Sequence, residues 1–550
     1  MKWNDFVRGF TLVSSLFMAN AFSHSAQPNI VLILTDDQSY GMMGVTGNPV
    51  VETPNIDALA NEGVFFSNAH VTSSICTPSR VSTLLGQYER MHNVNFNSGT
   101  AVSKFAWEQS YPHQFKQAGY YTGWIGKNHV PVGKHGYQTG LMEKSFDYWY
   151  AGHGHMFFYP KFRHSIFSEA HADTQAEIIQ EGVTDFLDSN EYRFKKALTF
   201  FDRRPTDKPF MLSINFNLPH NAGTSNMKQK DSDGELYTTK YRNQEIPLPE
   251  HYVAKKDIKQ PKLPASLLRS RDRQFIYDYV DTPETLKERQ IRQYQAMTGI
   301  DNLVGHLRHS LEQQGLADNT IIIFTSDHGL FMGEHGLGGK SLCYEKTNHV
   351  PLIVFDPRAK PTGKRNALVQ NIDLAPTMLA LAGLEAPSSM QGENFSPSIY
   401  EDKPLKRQYA FAENLWSTHF GNPRCEAIQD SEWKYIRYFA NHNLSAVDTV
   451  KLAKKLNMPV NKLLYGTHDN DVAQYMHYVE ASIKGEQPVY EELYHLKSDP
   501  DELMNLAQKH QHHVKLEQLR ASIADVVKQA RGRPTNNVVR YTLDSNPDNK

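Results

Sequence analysis

The stretch that decides the fold is Asn-Ile-Val-Leu-Ile-Leu-Thr at residues 29–35, followed at once by Asp36 and Asp37. A nearly continuous aliphatic run of this kind is typical of a strand buried on both faces of a parallel sheet. Residues 53–60 then begin with a threonine cap and a proline suited to a first helical turn, and Gly63 ends the segment. The order strand, loop, helix predicts an α/β fold.

The same pattern recurs along the first 400 residues. Aliphatic runs lie at residues 121–125, 210–216, 320–325 and 351–355, and residues 292–313 have helical spacing. This alternation predicts a large mixed, mostly parallel sheet sandwiched by helices.

Beyond about residue 400 the apolar runs become shorter, as at 409–411 and 433–439, which is typical of a small antiparallel sheet. We therefore expect a large α/β domain over residues 26–400 and a smaller C-terminal α+β subdomain over 401–535. Within the subdomain, residues 447–480 form a polar insertion with helical spacing. The Asn- and Asp-rich segment 536–550 is expected to be a disordered tail.

The chain begins with the features of a secretory signal over residues 1–25. Lys2 and Arg8 precede an apolar stretch at residues 10–22, which is too short to span a bilayer. No other segment is long and apolar enough to cross a membrane, so we expect a secreted or periplasmic protein without a membrane span.

Composition excludes several classes of protein. The 550 residues are 39% hydrophobic and 21% charged, with a net charge of -2, which indicates a soluble globular protein and argues against nucleic-acid binding. The three cysteines, Cys76, Cys343 and Cys425, are too few for a disulfide scaffold. If Cys76 is chemically consumed, the other two could pair or remain structural thiols.

Polar residues follow three of the predicted strands directly. They are Asp36-Asp37, the segment at 217–220 that ends in His220, and Asp327-His328. Ligands of open α/β sheets gather beyond the carboxyl ends of the strands, so these ends are candidates for chemistry. Carboxylates after two separate strands suggest that the strands converge on a cation.

The segment Cys-Thr-Pro-Ser-Arg at residues 76–80 combines several features of an anion-binding nucleophile. Pro78 suits the first turn of a helix, which places Cys76 at the positive end of the helix dipole, and Arg80 adds a permanent cation. The alternative is a buried cysteine beside an ordinary helix cap.

This segment resembles the C-x-P-S-R signature of the formylglycine-dependent type I sulfatases of the alkaline phosphatase superfamily. Residues 120–129, 325–340 and 492–506 are similar to further signatures of that family, in the same order. The departures are Thr83, Leu85 and Asn128, which leave the maturation motif intact.

The resemblance implies that a formylglycine-generating maturation enzyme converts Cys76 to 3-oxoalanine. The hydrate of this formylglycine would attack sulfur, and its second hydroxyl would expel sulfate. By position, Arg80 and Lys127 would stabilise the formylglycine, His129 would take the proton that triggers elimination, and Lys340 would bind sulfate. His220 is our choice for the acid that protonates the leaving alcohol.

The resemblance also implies one Ca²⁺ per chain. Its protein ligands would be Asp36, Asp37, Asp327 and His328, together with the group formed from Cys76. Carboxylate oxygens suit calcium better than imidazole does, so the three aspartates are the more secure ligands.

The expected substrate is a sulfated oligo- or polysaccharide, with a carrageenan-type galactan first, then ulvan, fucoidan or a glycosaminoglycan. Residues 153–164 mix aromatic, basic and histidine side chains, so His153 and His155, together with Arg424, are candidate substrate contacts. A packed aromatic loop is the alternative. A phosphate ester hydrolase and a carbohydrate-binding protein with unconverted Cys76 are the rival functions.

Overall fold

The computed structural model describes residues 27–95, 100–133, 141–152, 200–220, 235–264, 266–267, 277–360, 362–415, 423–440, 454, 469–534 and 539–540. The expected signal peptide at 1–25 and the aromatic segment at 153–164 lie outside these ranges. No helix in the described part of the chain combines the length and apolar character that a bilayer crossing requires.

The central feature is an eight-stranded sheet. Its strands are β1 (Asn29–Asp36), β2 (Val64–Phe66), β3 (Tyr121–Lys127), β4 (Tyr148–Gly152), β5 (Phe210–Pro219), β6 (Thr320–Ser326), β7 (Leu352–Phe355) and β8 (Gly363–Arg365), in the spatial order β8-β2-β7-β6-β1-β5-β3-β4. Strands β6, β1, β5, β3 and β4 are parallel, and β7 runs antiparallel to both of its neighbours. The predicted mixed, mostly parallel sheet is confirmed.

Helices cover both faces of this sheet. The longer ones are α1 (Pro54–Glu62), α2 (Cys76–Leu85), α3 (Tyr111–Gln117), α4 (Pro283–Gln313) and α5 (Leu374–Leu381). Short helices lie at Glu89–His92, Lys104–Trp107, Glu235–Thr238, Glu345–Asn348 and Ser396–Glu401.

Strand β1 shows why its residues 30–34 are all aliphatic. Val31 and Ile33 pack in one core with Met297 of α4, while Ile30 and Leu32 face a second core that contains residues of α2 and α5. Successive side chains of a strand point to opposite faces, so a strand between two helical layers needs apolar residues at every position.

The helix predicted at 292–313 begins nine residues earlier than expected, at Pro283. Thr282 caps it by accepting a hydrogen bond from the backbone N–H of Thr285 at 3.3 Å, and Pro283 occupies the first helical position. These first turns are mostly polar, so their apolar spacing gave no signal of the helix start.

The C-terminal part contains the second sheet, which is antiparallel as predicted. Its strands are β9 (Ala410–Asn414), β10 (Arg424–Gln429), β11 (Trp433–Phe439) and β12 (Tyr490–His495), paired in that order. Helices α6 (Asp469–Ala481) and α7 (His513–Arg531) complete this part. One face of the sheet packs on α7, and the other shares an apolar cluster with Phe331 and Tyr344 of the α/β part.

The expected disordered tail requires a correction. Val539–Arg540 forms a short antiparallel strand with Thr100–Ala101, so the segment 536–550 is not unstructured throughout. A two-residue pairing carries little sequence signal, because strands are recognised from longer alternating runs. The helix predicted within 447–480 is confirmed over Asp469–Ala481, and the domain limits at 25, 400 and 535 remain predictions.

Candidate active site

The sheet brings two acidic strand ends together. Strands β1 and β6 are parallel neighbours whose register pairs Thr35 with Ser326, so the residues after them meet at one edge. The backbone N–H of Asp37 donates a hydrogen bond to Asp327 Oδ1 at 3.1 Å. Asp37 takes a φ of 60°, in the left-handed region, which turns the chain sharply at the end of the strand.

Cys76 is the first residue of α2, as predicted. It follows Ile75, whose extended φ and ψ of −137° and 135° mark the helix boundary. Its Sγ lies 3.0 Å from Lys340 Nζ, 3.4 Å from His328 Nε2 and 3.5 Å from Asp36 Oδ1. The thiol is completely buried. The structure therefore joins the helix start to residues that lie 40 and more than 250 positions away.

Each of the three buried carboxylates has a cationic neighbour. Arg80 Nε donates to Asp327 Oδ2 at 2.9 Å, and Lys340 Nζ donates to Asp37 Oδ1 at 2.9 Å. Lys127 donates to Asp36. All six residues are at most 3% exposed. Because a buried unpaired charge is costly, this pairing of opposite charges allows several ionisable groups to share one buried site.

His328 is oriented for its Nε2 to face the cluster. Its Nδ1 lies 2.9 Å from the carbonyl oxygen of Gly329, so Nδ1 carries the proton, and Nε2 lies 3.2 Å from Asp37 Oδ1. Burial lowers the pKa of His328, although Asp327 acts in the opposite direction. A neutral imidazole fixed in this tautomer is the form that binds a metal ion.

Two further histidines reach the same region. His220, in the turn after β5, has its Nε2 3.6 Å from Asp37 Oδ2. His129 lies two residues after β3 with a φ of 50°, and its carbonyl oxygen accepts a hydrogen bond from Thr77 Oγ1 at 3.1 Å. That bond ties the His129 turn to the first turn of α2.

The electrostatics of the cluster favour a bound cation. Burial raises the pKa of Asp36 to about 7, and the charge of Asp327 adds to this rise while Lys127 and Arg80 oppose it. Burial likewise raises the pKa of the Cys76 thiol to about 12, against Lys127 and Lys340. Burial would also raise the pKa of Asp327, but His328, Arg80 and the lysines outweigh it and hold that pKa below its usual range.

Donor atoms of the cluster are spaced for a metal ion. One atom each from Asp36, Cys76, Asp327 and His328 lies within 4.8 Å of the others, and Asp37, Cys76 and His220 form a second such group. Three carboxylates are hard oxygen donors of the kind that Ca²⁺ prefers. A divalent cation would also offset the crowding of charge that raises the pKa of Asp36. The residues present therefore fit a metal site.

The comparison with protein families decides the assignment. The family model described as Sulfatase matches residues 28–384, which include every residue of the buried cluster. The chain belongs to the sulfatase family. This sulfatase is accordingly a sulfuric ester hydrolase, and a second model, described as the C-terminal part of N-sulphoglucosamine sulphohydrolase, matches residues 333–477.

Relatives and solved structures agree with this assignment. The sulfatase is 26% identical to an arylsulfatase of Clostridium perfringens, over 80% of this chain and 91% of the relative. It is 25% identical to an N-acetylglucosamine-6-O-sulfatase of Bacteroides thetaiotaomicron, over 92% of this chain and 87% of the relative. A solved complex with D-glucosamine-2-N,6-O-disulfate shares the fold, with a TM-score of 0.64, 22% identity and coverage of 92% and 99% of the two chains.

Asn371 is a part of the site that the sequence analysis missed. Its Nδ2 donates to the carbonyl oxygen of Ser79 at 3.1 Å, and its Oδ1 accepts from the backbone N–H of Thr72 at 3.0 Å. Ser79 Oγ in turn donates to the carbonyl oxygen of Asp327. Asn371 thus links Thr72, before Cys76, to Ser79 in the first turns of α2. An isolated asparagine 292 positions away offers no sequence signal for this role.

The structure does not support the expected substrate contact of Arg424. Its side chain is 2% exposed, and its Nη2 lies 2.6 Å from Glu486 Oε1. The guanidinium also lies 3.8 Å from the ring centroid of Tyr478. Arg424 is therefore a packing residue inside the C-terminal part, where its guanidinium is enclosed by an ion pair and an aromatic ring. His153 and His155 lie outside the described residues.

Proposed function

We propose that this sulfatase removes sulfate from a sulfated carbohydrate, using a formylglycine made from Cys76 and one bound Ca²⁺. The observation that carries the proposal is the placement of Cys76. Its Sγ lies at a helix start, in contact with Lys340 and His328 and beside Asp36. A reactive group formed at position 76 would therefore lie next to both the proposed cation site and positively charged side chains.

The substrate sets the demands on the site. A sulfate ester presents anionic oxygens that repel a nucleophile, so catalysis requires a strong nucleophile and concentrated positive charge. A formylglycine at position 76 would supply the nucleophile, and a bound Ca²⁺, held by the aspartates and His328, would supply positive charge. The chain contributes the rest through its own side chains.

Lysine and arginine have separate tasks in this proposal. Lys340 lies 3.0 Å from the reacting position and would bind a sulfate oxygen directly. Lys127 and Arg80 hold Asp36 and Asp327 in place, which keeps these two carboxylates oriented toward the cation. The proposed calcium ligands are these two aspartates, Asp37 and His328, together with the group formed from Cys76.

Proton transfer is assigned to the two histidines of the site. His220 Nε2 lies 3.6 Å from Asp37 Oδ2, and His220 is proposed as the acid that protonates the leaving alcohol. His129 is proposed as the base that resets the formylglycine. The hydrogen bond from Thr77 to its backbone carbonyl fixes its turn against α2.

Relatives support a carbohydrate substrate. One relative that aligns with 92% of this chain is named an N-acetylglucosamine-6-O-sulfatase, and the structurally similar complex contains a glucosamine disulfate. A carrageenan-type galactan was the first expectation from the sequence, with ulvan, fucoidan and glycosaminoglycans as alternatives. We therefore include 6-sulfated N-acetylglucosamine beside these polysaccharides in the test. Export to the periplasm or the medium, and a partner enzyme for maturation, belong to the same proposal.

The experiment measures sulfate release by calcium-loaded protein whose formylglycine content has been verified by peptide mass spectrometry. The panel comprises oligosaccharides of carrageenan, ulvan, fucoidan and glycosaminoglycans, 6-sulfated N-acetylglucosamine, an aryl sulfate and an aryl phosphate. Release from one carbohydrate class supports the proposal. Release from the aryl sulfate alone would contradict the carbohydrate assignment, and faster release of phosphate than of sulfate would favour the phosphate ester rival.

A further inference from the structure

Two cysteines that the catalytic proposal does not use lie in contact with each other. Cys343 Sγ and Cys425 Sγ are 3.2 Å apart, although 82 positions separate them in the chain. Both side chains are almost completely buried, at 2% and 0% exposure. The sequence has three cysteines, and Cys76 lies in the proposed active site, so Cys343 and Cys425 are the two cysteines left for another role.

The pair joins two different parts of the fold. Cys343 lies three residues after Lys340, in the segment that reaches the active site, and Cys425 lies in β10 of the C-terminal sheet. Both belong to one apolar cluster that also contains Leu342, Tyr344 and Ile436. Buried thiols can serve as small apolar side chains, but that role does not require the two sulfur atoms to touch.

We propose that Cys343 and Cys425 form a disulfide bond when the protein is produced in an oxidising compartment. The two sulfurs need only a small side-chain movement to reach the bonding distance of about 2.05 Å. The oxidant is a disulfide of a protein or of glutathione. It accepts two electrons and two protons from the two thiols and leaves as two thiols, while one new S–S bond forms in the chain.

This bond acts as a staple on the segment that carries Lys340. The segment is already held on one side by the backbone N–H of Ser341, which donates to the carbonyl oxygen of Ser74 at 3.1 Å, two residues before Cys76. On the other side, Tyr344 donates to Glu492 Oε2 at 2.8 Å in β12. The disulfide adds a covalent link on that second side, so the segment is fixed between the active-site helix and the C-terminal sheet.

The bond would also affect the maturation of Cys76, because it would leave Cys76 as the one cysteine in the sequence without a cysteine partner. Burial of Cys425 raises the pKa of its thiol well above the usual value, so exchange on the folded protein is slow.

The test compares protein exported to an oxidising compartment with the same chain made in a reducing cytosol. Each sample is unfolded in the presence of iodoacetamide without reductant, digested and analysed by mass spectrometry. We expect the exported protein to give one cross-linked peptide pair containing Cys343 and Cys425, lighter than the sum of its parts by two hydrogen atoms. Alkylation of both residues in the exported protein would overturn the proposal.

A second measurement tests the stapling role. Reductant should lower the Tm of the exported protein by roughly 5 °C, because the bond closes a long loop. The double variant Cys343→Ala/Cys425→Ala serves as the matched control, and its Tm should not respond to reductant. Cys76→Ala should keep the response. A cross-link without any reductant-dependent shift of Tm would contradict the staple, and neither result depends on sulfatase activity.

Discussion

Replacing Lys340 by methionine tests the positive charge at the reacting position. Methionine has a similar length and removes only the ammonium group, which contacts Cys76 Sγ at 3.0 Å and Asp37 Oδ1 at 2.9 Å. Lys340 is 2% exposed, so water cannot take the place of its charge without opening the site. We expect a large loss of activity in a protein that still folds when calcium is bound.

The size of the loss follows from the geometry. Two unit charges 3 Å apart at an effective dielectric constant of about 20 interact by roughly 5 kcal/mol, which is an upper limit for the contribution of the ammonium group. Removal of a single fixed donor to a developing oxyanion costs about 3 to 4 kcal/mol, or 10² to 10³ in kcat. We therefore predict that kcat/KM of Lys340→Met falls by about 10² to 10³.

The assay is continuous sulfate release at saturating calcium, with formylglycine content matched between variants. Lys346→Met is the control, because Lys346 is a partly buried lysine six residues away whose Nζ pairs with Asp501 at 2.9 Å. That control should retain activity within about threefold, since its ion pair is partly exposed and worth at most about 1 kcal/mol. Equal losses in the two variants, or a loss below tenfold for Lys340→Met, would refute the assignment of Lys340.

Three further predictions concern stability and the metal. Burial lowers the pKa of His92 from 6.5 to about 3, so between these values the unfolded chain binds a proton that the folded chain does not. The free energy of unfolding should therefore fall by about 2 kcal/mol between pH 7 and pH 5 because of this group. In urea titrations, the fall between these two pH values should be smaller by that amount in His92→Gln than in the unsubstituted protein. Asn371→Ala should lower the free energy of unfolding by about 1 to 3 kcal/mol and also reduce kcat, because the N–H of Thr72 loses its partner. The control is Asn319→Ala, which removes a hydrogen bond that is exposed and should cost less than about 0.5 kcal/mol. Equal effects of the two substitutions would contradict the role of Asn371. Chelator treatment followed by gel filtration should abolish sulfate release, and calcium should restore it better than zinc; full activity of the metal-free protein would contradict the metal assignment.

Several elements could be predicted from the sequence because their residues answer to local physical demands. Strand β1 is aliphatic at residues 30–34 because both of its faces are buried there. A proline two residues after Cys76 agrees with a helix that begins there. The acidic strand ends at Asp36 and Asp327 could be placed together because parallel neighbours end at the same edge.

Other features depend on contacts that no local pattern carries. Asn371 supports Ser79 from 292 positions away, and its hydrogen bonds exist only in the folded chain. Arg424 was expected to contact substrate, but it pairs with Glu486, which the packing around β10 brings beside it. The cysteine pair is of the same kind, because spacing alone left open whether Cys343 and Cys425 meet.

The most direct test of the account is the dependence of sulfate release on the state of Cys76. The same chain is produced with graded amounts of a formylglycine-generating enzyme, the fraction of converted Cys76 is measured by peptide mass spectrometry, and the initial rate of sulfate release is recorded with calcium present. The account predicts that the rate rises in proportion to the converted fraction and passes through zero, and that Cys76→Ala is inactive. Release of sulfate by protein with unconverted Cys76, or by Cys76→Ala, would contradict it.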